Sequence, residues 1–162
     1  GACRRCRHRR ADPAQCGAGA VKHPLHPALV HFPVACWSLA TLADIAGACW
    51  PRWPWWQFAA ALLAVGCAAG LAAAATGLLE LLKLPPEHPA AVDANRHMGM
   101  ALTAWCLYAG SLLLRMPDMQ PVPPGTLATS LSIAGFIALA ATGWLGGKLV
   151  YVHGIGRAGA PP

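Results

Sequence analysis

The chain has 162 residues, of which 56% are hydrophobic and only 11% charged, with a formal net charge of +6. A soluble globular domain carries roughly a quarter charged residues, so the composition excludes one and identifies an integral membrane protein. No serine-nucleophile pattern, phosphate-binding loop or deep pair of carboxylates stands out, which argues against an enzyme.

Residues 1–21 form a basic tail in which Cys3, Cys6, His8 and Cys16 stand among five arginines. A C-x2-C pair followed by a histidine and a third cysteine has the donor types of a tetrahedral zinc site, but its spacing is unlike the common modules and the arginines repel a cation. The simpler reading is a flexible tail that meets anionic headgroups and no nucleic acid. A c-type haem attachment sequence is excluded, because Arg7 stands where C-x-x-C-H needs its histidine. With no apolar face to pack, the tail is expected to be dispensable for whatever the rest of the chain binds.

A membrane domain is expected over 22–157, followed by a short tail, 158–162. It opens on HPLHPALVHFP, residues 23–33. Pro24 and Pro27 are expected to hold this segment extended, as an arm that presents imidazoles. Pro33 suits the first helical turn, where its missing N–H would lack an intrahelical partner. Apolar runs then occupy 28–50, 55–82, 97–116 and 127–151. At 1.5 Å per residue each can cross a hydrocarbon core of about 30 Å. PRWP at 51–54, KLPPEHP at 83–89 and MPDMQPVPPG at 116–125 break the runs. The runs are continuous in alanine and leucine, whereas a β-barrel needs alternating segments. The fold class is all-α, a bundle of four transmembrane helices joined by short loops.

Four crossings place both termini and the second loop on one face. That face holds ten of the twelve Lys and Arg residues, and the other holds Arg52 and Arg115. The positive-inside rule puts the basic face and both termini in the cytoplasm, and the Trp50, Trp53, Trp55 and Trp56 group at the opposite interface.

The same topology gathers His23, His26, His31, His88, His97 and His153 on the basic face. Histidine changes protonation near neutral pH and is the commonest metal ligand. His31, His97 and His153 sit at the ends of the first, third and fourth helices, where packing would bring their rings into one cofactor site. His26 lies a short loop away. Glu80, near the same end of the second helix, adds a carboxylate that is costly in a membrane unless paired or wet. A metal set of His26, His31, His97, His153 and Glu80 follows, and Met100 shares a helical face with His97 at i+3. The bland alternative is that each histidine only hydrogen-bonds within the bundle.

The segments HPLHPALVHFPVA, TGLLELLKLP, the histidine that opens the third helix, and GWLGGKLVYVHGIG resemble a bacterial four-helix membrane family catalogued as domain of unknown function 2231. The matching positions are His23, His26, His31, Pro33, Asp44, His97, Gly143, Gly146, Gly147 and His153. Members of that family are sometimes joined to cytochrome c or Rieske-type modules. The resemblance therefore implies membrane redox work in a bacterial inner membrane, beside other redox subunits or a cytochrome.

Three function classes stay open: a subunit binding haem b through two axial histidines, a protein holding or transporting zinc or copper, and a structural or assembly subunit. The first leads, as a small electron-transfer protein. The LAAAATG stretch of the second helix leaves room for a flat ligand or for tight packing. G-x-x-x-G pairs at Gly66 and Gly70 and at Gly143 and Gly147 are expected to pack the bundle, a homo-oligomer seam being the alternative. Asp44 is expected to hydrogen-bond within the bundle near the far interface, lining a proton path being the alternative. Cys36, Cys49, Cys67 and Cys106 read as small hydrophobes in a core.

Overall fold

The computed structural model describes residues 25–155, and those are helix and short turns throughout. The cysteine segment Cys3 to Cys16 and His23 lie outside the described residues. A short helix α1, Leu25–Leu29, runs into α2, His31–Cys49. The three longer helices are α3, Trp55–Leu81, α4, Ala91–Leu114, and α5, Thr126–Tyr151. Four spans are long and apolar enough to cross a membrane, the first being His26–Cys49 through α1 and α2.

Two boundaries differ from expectation, each for a local reason. The segment before His31 is a helical turn and not an extended arm. Pro27 is only the third residue of α1, where an N–H would have no acceptor. The step at Val30 falls where Pro33 cannot donate to the carbonyl of Leu29. The third span starts at Ala91, six residues ahead of His97. Its first turns, VDANR, are too polar for an apolar run. Asp93 in the first turn suits the positive end of the helix dipole. His97 therefore sits about two turns inside α4.

The helices form a closed up-and-down ring. α2 packs chiefly on α3 and α4 chiefly on α5, while α3 meets α4 and α5 returns to α2. The interior is built from small residues, including Ala40, Ala59, Ala104 and Ala138, around Trp37, Leu63 and Tyr108. Phe32, Leu42, Phe58, Leu71 and Ile137 point outward. Lipid tails are as apolar as leucine, so nothing drives large side chains inward, and small ones let backbones approach. Gly66 and Gly70 do this for one ring: a Cβ on either would lie 2.7 or 2.8 Å from Trp37. Trp37 then stacks on Tyr108, with ring centres 5.0 Å apart and planes at 12°. The other expected pair acts differently. Gly143 has nothing within 4 Å, and the close approaches on α5 fall at Gly135, where a Cβ would lie 3.0 Å from Tyr108, and at Gly146, where it would lie 3.2 Å from His97.

Candidate functional site: paired histidines at one end of the bundle

α1 delivers His26 and α4 delivers His97 to the same end of the bundle. Their ring centres are 6.3 Å apart and the planes are perpendicular. His26 Nδ1 lies 2.9 Å from the carbonyl of Ala73 on α3, and His97 Nδ1 lies 3.0 Å from the carbonyl of Thr142 on α5. A carbonyl can only accept, so each Nδ1 must carry the proton and donate it. In the neutral ring that leaves Nε2 with a free lone pair, the form in which imidazole binds a metal.

Each ring is seated on a glycine. A Cβ on Gly77 would lie 2.8 Å from His26 Cε1, and one on Gly146 would lie 3.2 Å from His97 Cε1. Gly77 belongs to the LAAAATG stretch and Gly146 to GWLGG. The room suspected in the alanine-rich helix is thus the seat of an imidazole. Met100, one turn beyond His97, packs half-buried against the core.

The shared site expected of His31, His97 and His153 does not form. His31 is exposed, and its Nδ1 is 3.4 Å from the carbonyl of Ala28, one turn back. His153 donates from Nε2 to Asp93 Oδ2 at 2.8 Å. The same carboxylate takes Lys148 Nζ at 2.8 Å and approaches Arg96 at 3.8 Å. Glu80 is exposed. Among the described residues no three His, Cys, Asp or Glu groups gather so as to hold a metal ion, so His26, His31, His97, His153 and Glu80 are not one ligand set. Depth misled the reading of His31: it precedes a long apolar run, yet its ring leaves the bundle from the outer side of α2. His26, one turn earlier, turns inward.

A second polar cluster closes the far end. Arg115 at the end of α4 meets Asp44 of α2 through two bonds of 2.6 Å, Nη1 to Oδ1 and Nη2 to Oδ2. Ser111 and Ser132 accept further bonds from the guanidinium. Both charged side chains are almost wholly buried, at 0% and 1% exposure. The in-bundle role expected of Asp44 is its role here. The partner was hidden, because Arg115 reads in sequence as an interfacial cation. Only its approach to Ser111 one turn earlier hints that it folds back.

Residues 22–159 match the family described as predicted membrane protein (DUF2231), so the chain belongs to that family. No curated protein and no solved structure matches it.

Proposed function

We propose that this membrane protein is a small electron-transfer subunit, and that His26 and His97 are the imidazoles that hold haem b in it. The observation that carries the reading is the pairing of two rings from different helices, each with its Nδ1 proton committed to a carbonyl and its Nε2 available. The two rings stand 6.3 Å apart between centres, and His26 and His97 would hold the iron of a haem through their Nε2 atoms. Two imidazoles with no third protein ligand beside them would suit haem, which brings donors of its own. A bare zinc ion takes three or four protein ligands, and copper(II) prefers a similarly full set.

Haem bound here would supply one-electron exchange at iron, with the potential set by its ligands and its burial. The residues of the chain have separate tasks. The Ala73 and Thr142 carbonyls fix ring tautomer and orientation and raise the basicity of Nε2. Gly77 and Gly146 give the rings space. The cationic Lys148 and Arg96, paired with Asp93 one turn before His97, lend the site a positive rim. The distribution of basic residues supports an orientation with this face and both termini in the cytoplasm of a bacterial inner membrane. Its partners are then other membrane redox subunits or a cytochrome, with homo-oligomers open to it.

The test is the absorption spectrum of the purified protein, oxidised and reduced, in the wild type and in single alanine variants of His26, His97, His31 and His153. A Soret band in the wild type should be lost or converted in His26→Ala and His97→Ala, and kept in His31→Ala and His153→Ala. A wild type without chromophore, or equal retention in all four variants, overturns the reading. Stoichiometric zinc or copper by elemental analysis would put a metal in place of haem. Neither, with each substitution lowering stability by about 1 kcal/mol for a lost hydrogen bond, would leave a structural or assembly subunit.

A further inference from the structure

The turn between α2 and α3 borders an open-mouthed cavity of about 390 Å³ lined by Cys49, Trp50, Pro51, Arg52, Trp53 and Trp55. It lies at the end of the bundle opposite the histidine pair, where two spans finish and the membrane interface begins. Trp50 and Trp53 are 64% and 69% exposed. Arg52 has no ion-pair or hydrogen-bond partner among the described residues. Its counterpart on this face, Arg115, is consumed by Asp44. The carboxylate in the other loop of the face, Asp118, is not in the cavity wall.

We propose that this cavity is a binding site for the headgroup of an anionic phospholipid, with the phosphate taken by Arg52 and the glycerol backbone lying against the indoles. Charge complementarity selects this occupant. Indole walls alone would also accept a quaternary ammonium group, but a guanidinium in the wall repels that cation and makes charge-assisted bonds to phosphate. A soluble anion has no use for exposed indoles at headgroup depth, whereas a lipid meets both features at once. The volume is within the range of about 300–1,000 Å³ typical of small-ligand sites.

Cys49 is an exposed thiol in the same wall and reports occupancy without altering Arg52. The full chain is placed in nanodiscs of phosphatidylcholine, alone or with a minor fraction of phosphatidylglycerol. The rate of Cys49 labelling by a water-soluble maleimide is read by peptide mass, with co-purifying lipid counted on the same samples. Phosphatidylglycerol should slow labelling at Cys49, which stands at the end of α2. Arg52→Gln should need about tenfold or more phosphatidylglycerol for the same protection. Lys83→Gln, an exposed cation on the opposite face, should behave as wild type. Equal protection by phosphatidylcholine, equal protection in Arg52→Gln, or no protection at all overturns the proposal. So does protection by inorganic phosphate in phosphatidylcholine discs, which would mean a soluble anion. Protection that depends on copies of the chain per disc and not on lipid would assign the cavity to a second copy.

Discussion

Removing one half of the Asp44–Arg115 pair should damage this bundle far more than removing both. In Asp44→Leu the guanidinium keeps Ser111 and Ser132 as acceptors but has no counter-charge, and it cannot shed its proton. In Arg115→Met the carboxylate is orphaned, but it can take up a proton and become neutral. Breaking a buried pair costs about 3–5 kcal/mol, with Asp44→Leu expected near the top of that range and Arg115→Met near the bottom. The double variant Asp44→Leu with Arg115→Met removes both charges and leaves no polar orphan. Ser111 and Ser132 still bond each other at 2.9 Å, and Ser111 still donates to the Ala128 carbonyl at 2.7 Å. Its stability should lie within about 1 kcal/mol of wild type or above it, since apolar replacement of buried pairs is often neutral or stabilising. Unfolding free energies from titration with a denaturing detergent, measured on the four proteins of the cycle, give the coupling directly. Single variants each costing under about 1 kcal/mol, or a double variant as poor as the sum of the singles, would refute a closed and desolvated charge pair.

Two further outcomes follow by the same assay. Gly66→Ala should destabilise by about 1–3 kcal/mol, because the new Cβ would lie 2.7 Å from buried Trp37; Gly143→Ala, with nothing within 4 Å, should be neutral or stabilising by about 0.4–1 kcal/mol, and equal effects would contradict the packing described. Tyr108→Phe removes the 3.0 Å bond to Thr41 Oγ1 but leaves the stack on Trp37 intact and Thr41 still donating to the Trp37 carbonyl. The loss should be about 1 kcal/mol, and a loss as large as a cavity-forming substitution, about 3–5 kcal/mol, would mean that the hydroxyl bears on more than Thr41.

Span number, fold class and the common end of the histidines were legible because they rest on run length and on the parity of crossings. The seats of the imidazoles were half legible. LAAAATG announced space, but only the packed structure makes Gly77 the floor under His26. The identity of the paired histidines was not legible, because it turns on which side of a helix each ring leaves. His26 and His31 are five residues apart, and at about 100° per residue they leave the helix on different sides. Periodicity gives little help in α2, where lipid and a core of alanines are both apolar. Arg115 was misread for a related reason. A cation at the end of a span is ordinarily a snorkelling interfacial group, and only the position of Asp44 on the facing helix turns it inward.

The two ends of the bundle are held by different physics. At the far end α2, α4 and α5 are pinned by charged bonds of fixed direction. A slip of one residue rotates a helix by about 100° and would carry Asp44 away from Arg115. α3 contributes no charge there, and its register is set sterically, by Trp37 against Gly66 and Gly70 and by the bond from Trp105 Nε1 to the Cys67 carbonyl. At the histidine end each imidazole has one backbone hydrogen bond and a glycine beneath it. Those contacts orient a ring, and the charged bonds at this end, from Lys148 and His153 to Asp93, join only α4 to α5 and its C-terminal turn. The rings can therefore meet at 6.3 Å because the helices that carry them and their acceptors are fixed elsewhere. With the register of α2, α3 and α4 set at the far end and in the core, the Nε2 atoms of His26 and His97 do not have to serve the fold.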